Sequence, residues 1–164
     1  MARQTKIITH ILNALQIDLI AIGIIYFMPE IVTATSLPIY LCEPMRILTL
    51  IGLAHTGKEN ALILAIGLPL LGYLTGGHPH EIKSGIMAIE LIINILLFYA
   101  IRSHLPIILA MPLAIISSKL VYYGLKWAAV SANLIEPPII STPISFQIGV
   151  LVASTLYVWW YLKK

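Results

Sequence analysis

Six long apolar runs, separated by short polar segments, dominate this chain of 164 residues. Most of them approach the roughly 20 residues that an α-helix needs to cross the hydrocarbon core of a bilayer. Backbone polar groups must be satisfied internally in that environment, which favours helices. The sequence therefore predicts an all-α polytopic membrane protein, with about six transmembrane helices in one domain of residues 1–164. The predicted helices cover residues 7–28, 37–54, 60–74, 84–101, 105–123 and 145–161.

The composition excludes a soluble protein. Hydrophobic residues make up 59% of the chain and charged residues 10%, and the mean hydropathy is +0.94. Ten Lys or Arg and seven Asp or Glu residues are too few to cover a globule of this size in water. Six helices leave no room for a cytosolic catalytic domain, so we expect any energy source to be another chain.

The net charge of +3 does not indicate nucleic-acid binding, because the basic residues are scattered between apolar runs. Basic residues of short loops tend to stay in the cytoplasm. With both termini cytoplasmic, six basic residues lie inside and two outside, which favours this orientation in a cell (inner) membrane. The inner set is Arg3, Lys6, Lys58, Arg102, Lys163 and Lys164, and the outer set is Lys83 and Lys126.

The segment GLAHTGKE, residues 52–59, matches the start of a phosphate-binding loop, but Glu59 stands where Ser or Thr would reach magnesium. We interpret it as a cytoplasmic turn. Gly57, Ala61 and Ala65 follow one another at intervals of four residues, a spacing that lets another helix approach closely. They are therefore candidates for docking a partner subunit, although such stripes are also common within bundles.

The densest polar cluster is TGGHPHEIK, residues 75–83, at the predicted external end of the fourth helix. In that helix Lys83, Met87, Glu90 and Asn94 have the spacing i, i+4, i+7 and i+11, so they form one stripe that descends into the membrane. A glutamate within hydrocarbon is costly unless it is paired, protonated or next to a cavity. The stripe predicts a ligand cavity, with an ion pair of Glu90 to Lys83 or Arg46 as the structural alternative.

Further polar residues join this candidate site. His78 and His80 flank Pro79 at its mouth, where they are better suited to cap the helix entrance or to contact an anionic solute than to bind a metal ion, and no metal site is predicted. Lys119 and Tyr123 share one face of the fifth helix, which is explained equally well by a solvated helix end or by a contact with the cavity. Arg46 and Asp18 are the other charges within predicted helices, and each requires a partner.

No motif of a hydrolase, metalloenzyme or nucleophilic enzyme occurs in the chain. The sequence therefore predicts neither an enzyme nor a cofactor. The single cysteine, Cys42, also excludes an internal disulfide.

Residues 44–98 combine P-x-R, an apolar helix, LPLLGYLTGGHP, Lys83 and MAIELIIN. This combination resembles the membrane-embedded substrate-binding subunits, or S components, of energy-coupling-factor (ECF) vitamin transporters. The resemblance implies capture of a water-soluble vitamin or related micronutrient at the external face. It also implies a transmembrane coupling subunit and two cytosolic ATPases as partners in the bilayer.

The resemblance places the substrate between the last three helices and the external loops, near His78, Pro79, Lys83, Met87, Glu90 and Asn94. In one respect the chain departs from the family: where members often have an Ala-x-x-x-Ala pair in helix 1, Ala14 is followed by Asp18 and Ala21 by Ile25. The alternative is a non-transporting scaffold resembling MreD of the cell-shape machinery, in which Glu90 and Arg46 would only connect helices.

Overall fold

The computed structural model describes residues 2–76 and 79–163 of the chain. These residues form seven α-helices and one 3₁₀ turn, and none of them lies in a β-strand, which confirms the predicted all-α class. The helices are α1 Ala2–Tyr26, α2 Met28–Thr35, α3 Pro44–Thr56, α4 Lys58–Gly76, α5 Glu81–Arg102, α6 Ile107–Ser131 and α7 Ile144–Leu162, and the 3₁₀ turn is Ile39–Cys42.

Four of the described helices, α4 to α7, are long and apolar enough to cross a membrane. The apolar part of α1 together with α2 makes a fifth span if this pair, bent by 53°, is counted as one. These helices indicate a membrane protein, and the described residues contain four or five such helices where the sequence predicts six.

The missing span is the one predicted for residues 37–54. Proline is well tolerated in the first turn of a helix, and α3 begins there, at Pro44. The preceding residue, Glu43, has a positive φ of 50°, which separates α3 from the 3₁₀ turn. The 13 residues of α3 extend for about 20 Å, well short of a bilayer core of about 30 Å. A proline and a left-handed residue have thus divided the predicted span into a turn and a short helix.

Helix α3 occupies the middle of the bundle. The other long helices pack against one another in the order α1, α4, α5, α6 and α7, and α3 contacts α1, α4, α5 and α7. Most of its side chains are accordingly buried, including the charged Arg46. The short helix is therefore enclosed by protein rather than exposed to lipid, and its first turn can carry charge into the bundle.

Two glycines allow α3 and α4 to form a tight hairpin. Gly57 is the single residue between them, with a φ of +92° that side-chain-bearing residues rarely adopt. At Gly52, a Cβ atom would lie 2.5 Å from Cδ1 of Leu64 on α4, so the helices are closer there than any larger residue allows without movement. The GLAHTGKE segment is thus a helix hairpin, and no β-strand precedes it as in a phosphate-binding loop.

The candidate docking stripe of Gly57, Ala61 and Ala65 lies within this chain's own packing. Ala61 and Ala65 are completely buried in the hydrophobic core. Gly57 is explained by the turn. The prediction of a partner-docking surface at these residues is therefore corrected: small side chains at this spacing do allow close helix packing, but the helices that approach belong to the same chain.

We call the end of the bundle that contains the α3–α4 turn and the α5–α6 turn the Gly57 end. Its side chains fill the interior closely, since Phe98, Ala110 and Val158 are fully buried. Polar groups there include Asn60, which donates a hydrogen bond to Asp18 at 2.8 Å. Asp18 thus has the partner that an intramembrane charge requires.

Candidate functional site

A cavity of about 480 Å³ opens at the other end of the bundle, which we call the cavity end. Its walls come from α1, α2, the 3₁₀ turn, the first turn of α3, the end of α4, the first half of α5, the second half of α6 and the loop before α7. Small-molecule sites in proteins usually have volumes of about 300–1,000 Å³. The cavity is therefore large enough to enclose a small organic molecule.

Four charged side chains from three helices meet in one wall of this cavity. Arg46 on α3 contacts Glu90 on α5 through its Nη2 atom, and its Nε atom donates a hydrogen bond to Glu43 at 2.7 Å. Lys119 on α6 donates a hydrogen bond to Glu43, and its Nζ atom lies 3.9 Å from Glu90. Two cations and two carboxylates thus form the charge network, with a formal charge of zero.

The start of α3 positions this network. Glu43 and Arg46 are three residues apart, so they lie next to each other on the side of α3 that faces α5 and α6. Arg46 is only 3% exposed, and a charge buried to this extent requires compensating partners. Its Nη1 atom nevertheless has no hydrogen-bond partner. The guanidinium group is thus paired by charge but not fully hydrogen-bonded.

Two further lysines lie at this end without a carboxylate. Lys83 on α5 lines the cavity. Lys126 on α6 is 3% exposed and donates a hydrogen bond to Ser141, which also lines the cavity, at 3.1 Å. Its Nζ atom also lies 5.9 Å from the ring centre of Tyr122. Lys126 therefore stands behind the cavity wall, with its charged end directed towards residues that line the cavity.

The sequence places Lys126 just beyond the predicted end of the fifth helix, among the external basic residues, whereas in the structure it lies within α6. Helix α6 continues to Ser131, eight residues beyond the predicted end at residue 123, so Lys126 lies within the helix and is buried.

The rest of the lining is mostly apolar and aromatic. Tyr123 on α6 lines the cavity and donates a hydrogen bond from its hydroxyl group to Gln147 on α7 at 2.9 Å. This bond joins α7 to the cavity wall although most of α7 lies away from the cavity. The apolar and aromatic lining residues include Ile25, Met28, Val32, Tyr40, Met45, Met87, Leu91 and Tyr122.

Most of the sequence-predicted site residues do meet at the cavity. Arg46, Pro79, Lys83, Met87, Glu90, Lys119 and Tyr123 all line it. The ion pair that was the alternative to a ligand cavity is also present, because Glu90 contacts Arg46. Lys83 is not its partner. One residue can thus connect two helices and form part of the cavity wall.

Two of the predicted residues that the structure describes, His80 and Asn94, are not in the cavity wall. His80 is exposed just before α5 begins, and His78 lies outside the described residues. Asn94 is one turn deeper than Glu90, 1% exposed, and its Nδ2 atom has no hydrogen-bond partner. The predicted stripe on α5 is therefore part of the site from Lys83 to Glu90, whereas Asn94 lies beneath its floor.

The sequence did not identify Glu43, Tyr122 or the loop residues Ser141 and Thr142 as site residues, although all line the cavity. Glu43 had a recognisable signal, since it stands three residues before Arg46 and next to Pro44. Tyr122 shares the helix face of Lys119 and Lys126. The loop residues carry no local signal, because only the folding of the α6–α7 connection brings them to the cavity.

Within residues 2–76 and 79–163, no three His, Cys, Asp or Glu side chains form a group suited to a metal ion. Comparison with protein-family models, with curated proteins and with solved structures finds no match to this chain. The function is therefore inferred from the cavity and its charges.

Proposed function

We propose that this chain is the membrane-embedded solute-binding subunit of an ECF-type importer, which captures a small water-soluble vitamin or related micronutrient. The observation that carries the proposal is the cavity at one end of an apolar bundle, with Glu43, Arg46, Glu90 and Lys119 in its wall. A bundle that only needed to be stable in lipid would be expected to avoid such groups, since charges at membrane depth are costly.

The size and chemistry of the cavity agree with solute capture. Its volume of about 480 Å³ suits a vitamin-sized molecule, and its apolar and aromatic wall offers van der Waals contacts to an organic body. Charged groups among these apolar walls would orient a polar substituent. In this proposal the cavity end faces the outside of the cell, as the distribution of basic residues favours.

The proposal includes partners that the sequence resemblance implies. A transmembrane coupling subunit and two cytosolic ATPases would supply energy, and this chain would bind solute without hydrolysing ATP. The cavity end would be external and the Gly57 end cytoplasmic. In a Cys42→Ala background, Ser141→Cys should react with a membrane-impermeant maleimide in intact cells, and Lys58→Cys only after permeabilisation. The reverse pattern would contradict this orientation.

A scaffold without a ligand is the second candidate, and the contact of Arg46 with Glu90 favours it. In a scaffold this pair would only connect α3 to α5, and the cavity would have no occupant. The two candidates differ in the expected effect of a substitution that fills the cavity. A scaffold would keep its function, whereas a solute-binding protein would no longer bind its ligand.

The test begins with the purified protein in detergent. Small molecules released on denaturation are identified by mass spectrometry, and the released compound is then measured for its effect on the melting temperature. Met87→Trp should fill the cavity and abolish this stabilisation by ligand. The control is Ile89→Trp on the same helix, where the side chain is 43% exposed and directed away from the core. If no compound is released and none stabilises the protein, the scaffold is the better explanation.

A further inference from the structure

The charges in and directly behind the cavity wall do not balance. Within the charge network, Glu43 and Glu90 both form ion pairs with Arg46 and with Lys119. Within the described part of the chain these are the carboxylates that line the cavity. No lining carboxylate is therefore left over for another cation.

Lys83 and Lys126 are the unbalanced charges. Neither ammonium group forms an ion pair with any residue in the described ranges 2–76 and 79–163. Lys83 lines the cavity, and Lys126 donates a hydrogen bond to Ser141, which also lines it. Lys126 has only the Ser141 hydroxyl group and the Tyr122 ring as partners, although it is 97% buried. A buried cation without a counter-ion is costly, so these two lysines attract an anion.

Two buried nitrogen atoms near Glu90 are hydrogen-bond donors that lack a partner. Arg46 Nη1 and Asn94 Nδ2 are buried nitrogen atoms that carry N–H groups and have no acceptor. Around Glu90 the protein thus has an excess of hydrogen-bond donors as well as an excess of positive charge. A ligand that brings acceptor oxygens would complement the positive charge and the donor of Arg46, which belongs to the cavity wall, whereas Asn94 lies beneath the floor.

We propose, on the basis of the solute-binding function above, that the solute is a small organic acid, with a carboxylate or phosphate group held by Lys83 in the cavity wall and attracted by the charge of Lys126 behind Ser141. Its uncharged body lies against the apolar and aromatic wall formed by Val32, Met87 and Tyr122. A cationic solute would meet two unbalanced lysines and no free carboxylate. A neutral solute would leave the lysines without a counter-ion.

The experiment uses the full chain in detergent and four pairs of probes in which an acid is matched with its uncharged or less charged analogue. The pairs are pantothenate with panthenol, biotin with biotinamide, nicotinate with nicotinamide, and pyridoxal 5′-phosphate with pyridoxal. Dissociation constants are measured by calorimetry. Any compound released from the denatured protein is identified by mass spectrometry and classified as anionic, neutral or cationic. We expect the released compound to be an acid, and any pair that binds to favour its acid by about tenfold or more.

The lysines are then tested by substitution. Lys83→Gln and Lys126→Met should each weaken binding of the preferred acid by about tenfold to a hundredfold, while its uncharged analogue keeps its affinity. Lys83→Arg should retain most of the preference because it keeps the charge. Lys58→Gln, at the Gly57 end, is the matched control and should change neither affinity. Melting temperatures of the ligand-free variants show whether each of them is folded.

An anionic lipid headgroup offers the same chemistry as a soluble acid. Binding is therefore repeated in nanodiscs of phosphatidylcholine alone and of phosphatidylcholine with phosphatidylglycerol. Equal affinity for the acid in both supports a soluble solute. Competition by phosphatidylglycerol, with no soluble acid released from the protein, overturns it in favour of a lipid.

Different results would contradict the inference and the proposed function. A released compound that is neutral or cationic, or an uncharged analogue that binds as tightly as its acid, overturns the inference and leaves solute binding intact. If no probe binds and nothing is released, solute binding itself is wrong.

Discussion

The two ends of this bundle differ in how closely their helices pack. At the Gly57 end, alanines on α4 and α6 let the helices approach closely, and Phe98 fills the space between them. At the cavity end, α2 and the 3₁₀ turn cross the ends of the longer helices and leave a cavity of about 480 Å³. The same helices α4, α5 and α6 contribute to both ends. The difference therefore comes from the side chains and connections, not from the path of the helices.

Polar groups follow the same division. At the Gly57 end they form short contacts, such as that of His55 with Tyr157 at 2.7 Å. At the cavity end, six charged groups lie in or directly behind the cavity wall, and two of them have no counter-ion. The tightly packed end is expected to contribute most of the stability of the bundle, and the open, charged end is the site of the proposed solute binding. The following changes test this distinction.

The largest effect is expected for Arg46→Met. The substitution leaves Glu43 and Glu90 with only Lys119 as a common partner, and removing one member of a buried ion pair typically costs about 3–5 kcal/mol. The free energy of unfolding in mixed micelles of detergent and denaturing surfactant measures this cost. Arg102→Met is the control, because Arg102 is exposed at the Gly57 end. Equal losses in both variants would show that the charge network carries no special stability.

A difference of about 3 kcal/mol is expected between two large-to-small substitutions on α5. Phe98→Ala removes a fully buried ring at the Gly57 end and should cost about 3–5 kcal/mol through lost contacts and a new void. Met87→Ala enlarges a cavity that already exists and should cost about 1 kcal/mol or less. The same unfolding measurement compares them. Similar losses would mean that the cavity end is as tightly packed as the other.

A smaller effect is expected for Gly57→Ala. The φ of +92° at this residue strains any side-chain-bearing residue, at a cost of about 1–3 kcal/mol. Gly67→Ala on α4 is the control, since its helical backbone has open space for the added methyl group, and it should be neutral or slightly stabilising. If Gly57→Ala is as stable as the parent protein, the α3–α4 turn has another conformation.

The smallest effect has the opposite sign. Lys126→Met replaces a buried cation without a counter-ion by an apolar side chain of similar length, so the ligand-free protein should gain about 1 kcal/mol of stability. Thermal unfolding of the ligand-free protein measures the change. Destabilisation would show instead that the hydrogen bond of Lys126 to Ser141 holds the α6–α7 loop in place.

Much of the candidate site could be predicted because it lies on one continuous helix. The positions of Lys83, Met87 and Glu90 follow from the period of the α-helix, and all three line the cavity. Residues on other elements were predicted less completely. Glu43 was missed because its importance depends on where α3 begins. The docking stripe was wrong for a related reason: helical spacing identifies a surface for close packing but does not identify the helix that packs there.

The sequence by itself determined the all-α class, the membrane environment and the helix face that carries the polar stripe. Each follows from local properties, namely apolar run length and helical period. Only the tertiary structure decided that α3 is a short central helix, that Glu90 pairs with Arg46, and that Lys83 and Lys126 have no counter-ion. These depend on which helices are neighbours, because a charge's partner in a bundle is set by distance in space rather than by separation along the chain.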